Sequence, residues 1–237
     1  MADKLTRRNF LATAGAAATI GAATNTIGTG QEQKTQADKI RIIGIACSPR
    51  KGKTTAAALQ VCLRAAADVD TRIETELIEL AGMKIDGSLA AGLPLAPGQE
   101  DDFEKLVPKL SDPKAAGIII GTPVYFGNMT YLCKAFLDRC MVFRKSFALS
   151  GKVAGVLAVG GVRNGGQELT IQSVQNALLC QEMVIIGDGK PTGHTGATVW
   201  NNGKDDITTD EFGMSTARNL GRRVAEIALR LASDIKQ

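Results

Sequence analysis

The chain has 237 residues, is 44% hydrophobic and contains 26 glycines, which suits one α/β domain of roughly 200 residues plus a tail. Its formal charge is +4, of which Lys4, Arg7 and Arg8 against Asp3 contribute +2, so the rest is too dilute for a nucleic-acid-binding face. A single histidine, His194, excludes a histidine-rich metal site, and the five cysteines form no CxxC pair or iron–sulfur run.

In chain order, a charged start, KLTRRNF, leads through Leu11 into the soft apolar run ATAGAAATIGAA. That run is too short and too weakly apolar for a membrane span. Thr6-Arg7-Arg8-Asn9-Phe10-Leu11 resembles the twin-arginine export signal. The resemblance implies a periplasmic or otherwise exported protein, with no stable membrane span once the signal is removed. Residues 24–39 are polar and read as linker, so the expected division is a signal and linker over 1–39 and a folded domain over 40–237.

Residues 40–47 form a nearly unbroken apolar strand that runs into the bend SPRKGKTT. An alanine-rich helix follows over about 53–69. Such a strand, turn and helix start is where α/β proteins hold phosphate, because the first helical N–H groups lack partners and the helix end is electropositive. Ser48, Thr54 and Thr55 add hydroxyls, and Arg50, Lys51 and Lys53 add charge. The plain alternative is an ordinary βα turn with a solvated basic tip. The glycine spacing matches neither the Walker A loop nor GxGxxG, so a monophosphate remains open.

Residues 72–80 alternate as a strand near an edge. A glycine- and proline-rich excursion follows over 81–99, then a short helix over 101–110. A central strand is expected at 115–122, a helix at 129–144, strand four at 152–159 and a helix at 167–180. Strand five is expected at 183–187, a polar loop at 188–211 and a closing helix at 213–233. This alternation predicts a three-layer α/β sandwich with a five-stranded parallel sheet in the order 2-1-3-4-5. The cysteines lie in apolar segments and read as small buried thiols.

Three glycine-containing loops, 48–55, 122–129 and 160–168, leave strands that are consecutive in this order. They should converge at the carboxyl edge, where such sheets bind ligands. In the second loop, Tyr125 and Phe126 either cover a planar ring or plug the sheet end. Backbone N–H groups from Val124 to Asn128 suit the polar edge of such a ring. In the third loop the glycines allow close backbone approach to a ligand, and a flexible turn would explain them too. Arg163 there suits negative charge on a reduced ring or an anionic substrate.

SPRKGKTT, GTPVYFGNMTYLCKAFLDR and GGVRNGGQELT together resemble the NADPH-dependent FMN reductase branch of the flavodoxin-like superfamily, especially its iron–sulfur flavoproteins. The resemblance covers about residues 40–235. It implies a flavodoxin-like fold and FMN as cofactor, with phosphate held by Ser48, Arg50, Lys53, Thr54 and Thr55. It implies that Pro123, Val124, Tyr125, Phe126, Gly127 and Asn128 pack against the isoalloxazine, and that the stretch holding Gly161, Arg163, Gly165 and Gly166 closes its other side. Those relatives carry cysteines after strand two. Residues 83–103 here hold none, which excludes a thiolate-bound cluster at that place.

The expected activity is electron transfer from NAD(P)H or another donor, a redox protein included, to a quinone or similar acceptor. Two alternatives stay open: an exported flavodoxin-like electron carrier, and a cofactor-free interaction domain. The resemblance further implies a homodimer or homotetramer. His194 and Trp200 have no assigned role.

Overall fold

The computed structural model describes residues 39–234. The twin-arginine pattern and nearly all of the linker lie outside the described residues. Six strands, β1 (Ile40–Ala46), β2 (Ile73–Glu79), β3 (Ala115–Pro123), β4 (Val153–Gly160), β5 (Val184–Ile185) and β6 (Ala197–Trp200), form one sheet. Every pairing is parallel and the order is β2-β1-β3-β4-β5, as expected.

The alternation along β1 shows how the layers arise. Ile43, Ile45 and Cys47 join one apolar cluster, while Ile40, Ile42 and Ala46 join the other. Strands buried on both faces need apolar side chains at successive positions. Helices α1 (Thr54–Ala67) and α6 (Glu211–Asp234) cover one face, and α3 (Tyr131–Arg139) and α5 (Gln167–Leu179) cover the other. The half-exposed β2 keeps only Ile73 and Ile78 buried, as suits an edge.

The two covering helices α1 and α6 touch closely at Gly221. A Cβ there would overlap the carbonyl oxygen of Cys62. Backbone cannot yield as a side-chain tip can, so Gly221→Ala is expected to cost about 2 kcal/mol, despite alanine's better helix propensity. Urea unfolding should show this as a lower midpoint with an unchanged slope.

Four expectations need correction. The fifth sheet position is filled by two short strands. β5 pairs the start of β4, through Val153 and Ala154, and β6 pairs its end, from Leu157 to Gly160. Residues 186–196 leave the sheet between them, and within the expected loop 188–211 residues 197–200 form the strand β6. The helix expected at 129–144 is divided into α3 and α4 (Met141–Arg144) at Cys140, whose ψ of −4° tightens the turn. The short helix at 101–110 is a 3₁₀ turn over Phe103–Lys105 followed by α2 (Val107–Ser111). Finally, Cys180 is exposed, whereas Cys47, Cys62, Cys133 and Cys140 are buried. Burial pushes the Cys62 thiol up to about 12 and holds Cys47 and Cys140 well above an ordinary thiol, so these three are kept as uncharged thiols.

Candidate functional site

The first loop leaves β1 at Cys47. Ser48 turns inward and is 5% exposed, and its Oγ accepts the Arg50 N–H at 3.1 Å. Gly52 takes φ +65°, which bends the chain into α1. Lys53 is the N-cap residue of α1 and makes no side-chain cap, and no acidic residue sits in the first turn. The positive end of the helix is therefore left for another anion. Thr54 and Thr55 are buried beneath this end, while Arg50 and Lys53 project from it.

Two carboxylates already sit on the loop. Gly52 N donates to Glu79 Oε2 at 2.6 Å, from the end of β2. Arg50 Nη1 meets the two Asp205 oxygens at 2.7 and 2.9 Å, and Lys53 Nζ lies 3.6 Å from Asp205 Oδ2.

The second loop follows β3. Val124 N bonds to Val159 O at 2.9 Å, so its root stays with the sheet. Tyr125 and Asn128 then exchange backbone hydrogen bonds of 2.8 and 3.1 Å across Phe126 and Gly127, at φ +50° and +73°. That is the two-residue turn with both central residues left-handed, usually made by asparagine and glycine. A phenylalanine there is strained. Its ring is fully exposed and Tyr125 is partly so. Pro123 and Val124 are half-buried at the strand end, and Asn128 is exposed. Thr130 closes the loop: its Oγ1 donates to Cys47 O at 2.7 Å and accepts from Cys133 N at 3.1 Å, capping α3 and tying it to the first loop.

The third loop, residues 161–166, is shaped by two side chains. Buried Gln167 accepts from Gly165 N at 2.7 Å and donates to Val162 O at 2.8 Å. Arg163 pairs with Asp210, whose side chain is 1% exposed. The same carboxylate caps α6 through Gly213 N at 2.9 Å and accepts Trp200 N at 2.9 Å. The Arg163 guanidinium also lies 5.4 Å from the Trp200 ring centroid and 5.8 Å from that of Phe212. Arg163 thus anchors its loop to β6 and α6. Gly161 is exposed, and Gly165 and Gly166 are half-buried.

Loops two and three meet directly. A Cβ on Gly166, at φ +98°, would lie 3.0 Å from Gly127 Cα and 3.6 Å from Val124 Cγ1. Only glycine allows both that φ and that approach. The three loops therefore share one edge, with the basic first loop beside β3 and the aromatic turn between β1 and β4.

This edge is the place that open parallel sheets offer to ligands. A phosphate fits the uncapped start of α1 and its two cations. A planar ring fits beside the exposed aromatic pair and the glycine contact. The residues present thus suit a flavin monophosphate.

Comparison with known proteins agrees with that geometry. Residues 40–197 match the family model described as NADPH-dependent FMN reductase. The chain belongs to the NADPH-dependent FMN reductase family. It is 39% identical over 191 residues to an iron-sulfur flavoprotein of Methanocaldococcus jannaschii, covering 79% of this chain and 97% of the relative. It is 32% identical over 194 residues to an iron-sulfur flavoprotein of Methanosarcina thermophila, covering 79% and 95%. A flavodoxin, WrbA-like protein from Agrobacterium tumefaciens shares the fold at a TM-score of 0.57 and 18% identity, over 81% of this chain and 99% of that one. Among the described residues of this family member, no group of three or more His, Cys, Asp or Glu side chains is placed to hold a metal.

Sequence reasoning missed three contributors to this edge: Glu79, Asp205 and Asp210. Of these, Asp210 alone carries a local signal, since an aspartate just before a helical run is a common cap. His194 lies in the connection between β5 and β6, with its ring edge-on to Phe212 at 5.6 Å and its Nδ1 3.6 Å from buried Asp188.

Proposed function

We propose that this chain is an FMN-dependent oxidoreductase that passes electrons from NAD(P)H or another donor to a quinone or similar acceptor. The observation that carries the reading is the meeting of three carboxyl-end loops, one basic at an uncapped helix start and two touching at Gly127 and Gly166. When bound, FMN supplies the electron transfer itself. The protein's own part is to bind and orient it. Ser48, Arg50, Lys53, Thr54 and Thr55 would hold the phosphate. Pro123 to Asn128 and the stretch from Gly161 to Gly166 would bracket the ring. Steady-state oxidation of NADH and NADPH with a quinone acceptor tests the reading: sustained turnover dependent on bound FMN supports it, and its absence with every donor opposes it.

Thr6-Arg7-Arg8-Asn9-Phe10-Leu11 favours a second reading, an exported flavodoxin-like electron carrier. Nicotinamide donors are not expected to be plentiful outside the cytoplasm, so an exported protein would draw on a redox protein or a quinol instead. A folded-protein export route would fit a cofactor inserted before export. Fractionation of cells expressing the full chain, with and without Arg7→Lys and Arg8→Lys together, tests export. Near-zero turnover with nicotinamides, together with rapid electron exchange with a redox protein, would favour the carrier.

The strained turn gives a separate prediction. Phe126→Gly should raise stability by about 1 kcal/mol, because glycine adopts φ +50° freely. It should weaken FMN binding at the same time, because the exposed ring is lost. Thermal unfolding and a flavin titration on the same sample read both effects.

A further inference from the structure

We propose that Asp205 is a displaceable carboxylate on the phosphate loop, and that it sets how strongly the site selects a phosphorylated flavin. This rests on the reading that the first loop holds the FMN phosphate. Asp205 stands 155 residues from Arg50 in sequence, yet it engages Arg50 at 2.7 and 2.9 Å and Lys53 at 3.6 Å. A fourth loop, residues 201–210, delivers it. Asn201 N bonds to Gly160 O at 3.0 Å at one end, and the Asp210 cap holds the other. The loop therefore leaves the sheet at the same edge as the other three.

The carboxylate occupies the two cations that a phosphate would need. Glu79 occupies the Gly52 N–H as well. Glu79 and Asp205 offset two of the three positive charges of Arg50, Lys51 and Lys53, so the loop presents less attraction to an anion than its lysines and arginine suggest. The contact gives the fold little, because the side chains of Arg50, Lys53 and Asp205 are 48%, 49% and 36% exposed and exposed pairs contribute little stability. Asp205 itself sits at φ +54°. A phosphate with two charges and three oxygens binds an arginine more strongly than one carboxylate does. It can displace Asp205, while a ligand without phosphate gains nothing by doing so.

The opposite role would be positioning, with Asp205 holding Arg50 in place for the phosphate. The two roles predict opposite signs. Full-length protein stripped of flavin, as wild type, Asp205→Asn and Asp205→Ala, would be titrated separately with FMN and with riboflavin. Displacement predicts FMN binding tighter by about fivefold in both variants, the equivalent of removing one competing partly exposed ion pair. It predicts riboflavin binding unchanged within about twofold. Unchanged or weaker FMN binding in both variants overturns the proposal, as does an equal gain for riboflavin. If wild type binds FMN and only the variants disagree, this inference fails alone. If folded wild type binds no FMN, the cofactor reading fails and this inference with it.

Discussion

Replacing Arg50 and Thr54 together by alanine is expected to weaken FMN binding by about 100- to 1,000-fold and leave the fold intact. Each hydrogen bond from a protein group to a charged phosphate contributes about 1.5–3 kcal/mol. Losing one from the guanidinium and one from the hydroxyl, each near the lower end of that span because the site is open to solvent, removes about 3–4 kcal/mol of binding, or about 100- to 1,000-fold. The fold should survive because Arg50 is half-exposed and its ion pair with Asp205 lies at the surface. Thr54 is buried, but alanine is smaller and suits a helix start in an alanine-rich segment. Flavin fluorescence titration measures the affinity, and far-ultraviolet circular dichroism checks the fold. Affinity retained within about threefold would place the phosphate elsewhere.

The largest effect on stability is expected at Asp101. Its carboxylate pairs with both terminal nitrogens of Arg139, with Nη2 to Oδ2 at 2.8 Å. The two side chains are 7% and 8% exposed. Arg139 also donates to Asp86 O at 3.2 Å and lies 4.7 Å over the Phe103 ring. One guanidinium thus pins the excursion between β2 and α2 onto α3. Asp101→Ala leaves that cation buried with its main partner gone, at a cost of about 3–5 kcal/mol. Glu104 lies 3.6 Å from the guanidinium but is mostly exposed, so it compensates little. Replacing both partners, Asp101→Leu with Arg139→Met, should recover a large part of the loss, because no charge is then stranded. Urea unfolding of the two variants checks the pair of values. A single variant as stable as wild type would mean that the pair does not anchor the excursion.

The strands buried on both faces were readable almost to the residue. β1, β3 and β4 need apolar side chains at nearly every position, and such runs survive inspection without any partner. The fifth position was not readable as it stands. MVIIG is apolar enough for a full strand, yet Val184 and Ile185 alone pair there. Ala-Thr-Val-Trp at 197–200 is short and follows Gly193, His194, Thr195 and Gly196, which read locally as loop. Its strand character comes from β4, whose far end would otherwise lack a neighbour on the side away from β3. The division at Cys140 has no glycine or proline to mark it, and the apolar spacing runs on from Phe136 to Phe143.

The site was legible where its parts are local and obscure where they are not. SPRKGKTT shows its serine, cations and threonines within eight residues. The turn at Phe126 and Gly127 was visible as an aromatic pair beside a glycine, though not as a left-handed pair. Arg163 was visible as a cation, but its partner Asp210 is 47 residues away. Asp205 and Glu79 reach the first loop only through the tertiary fold, so no spacing rule could find them.

Binding of FMN at this edge is open to direct measurement. Folded protein freed of flavin, titrated with FMN while fluorescence quenching and the flavin absorption band are followed, tests it most directly. Saturable binding of about one FMN per chain is expected, with the Arg50 and Thr54 double variant failing to saturate over the same range. Folded wild-type protein that neither carries FMN nor takes it up would overturn the assignment of this edge as a flavin site.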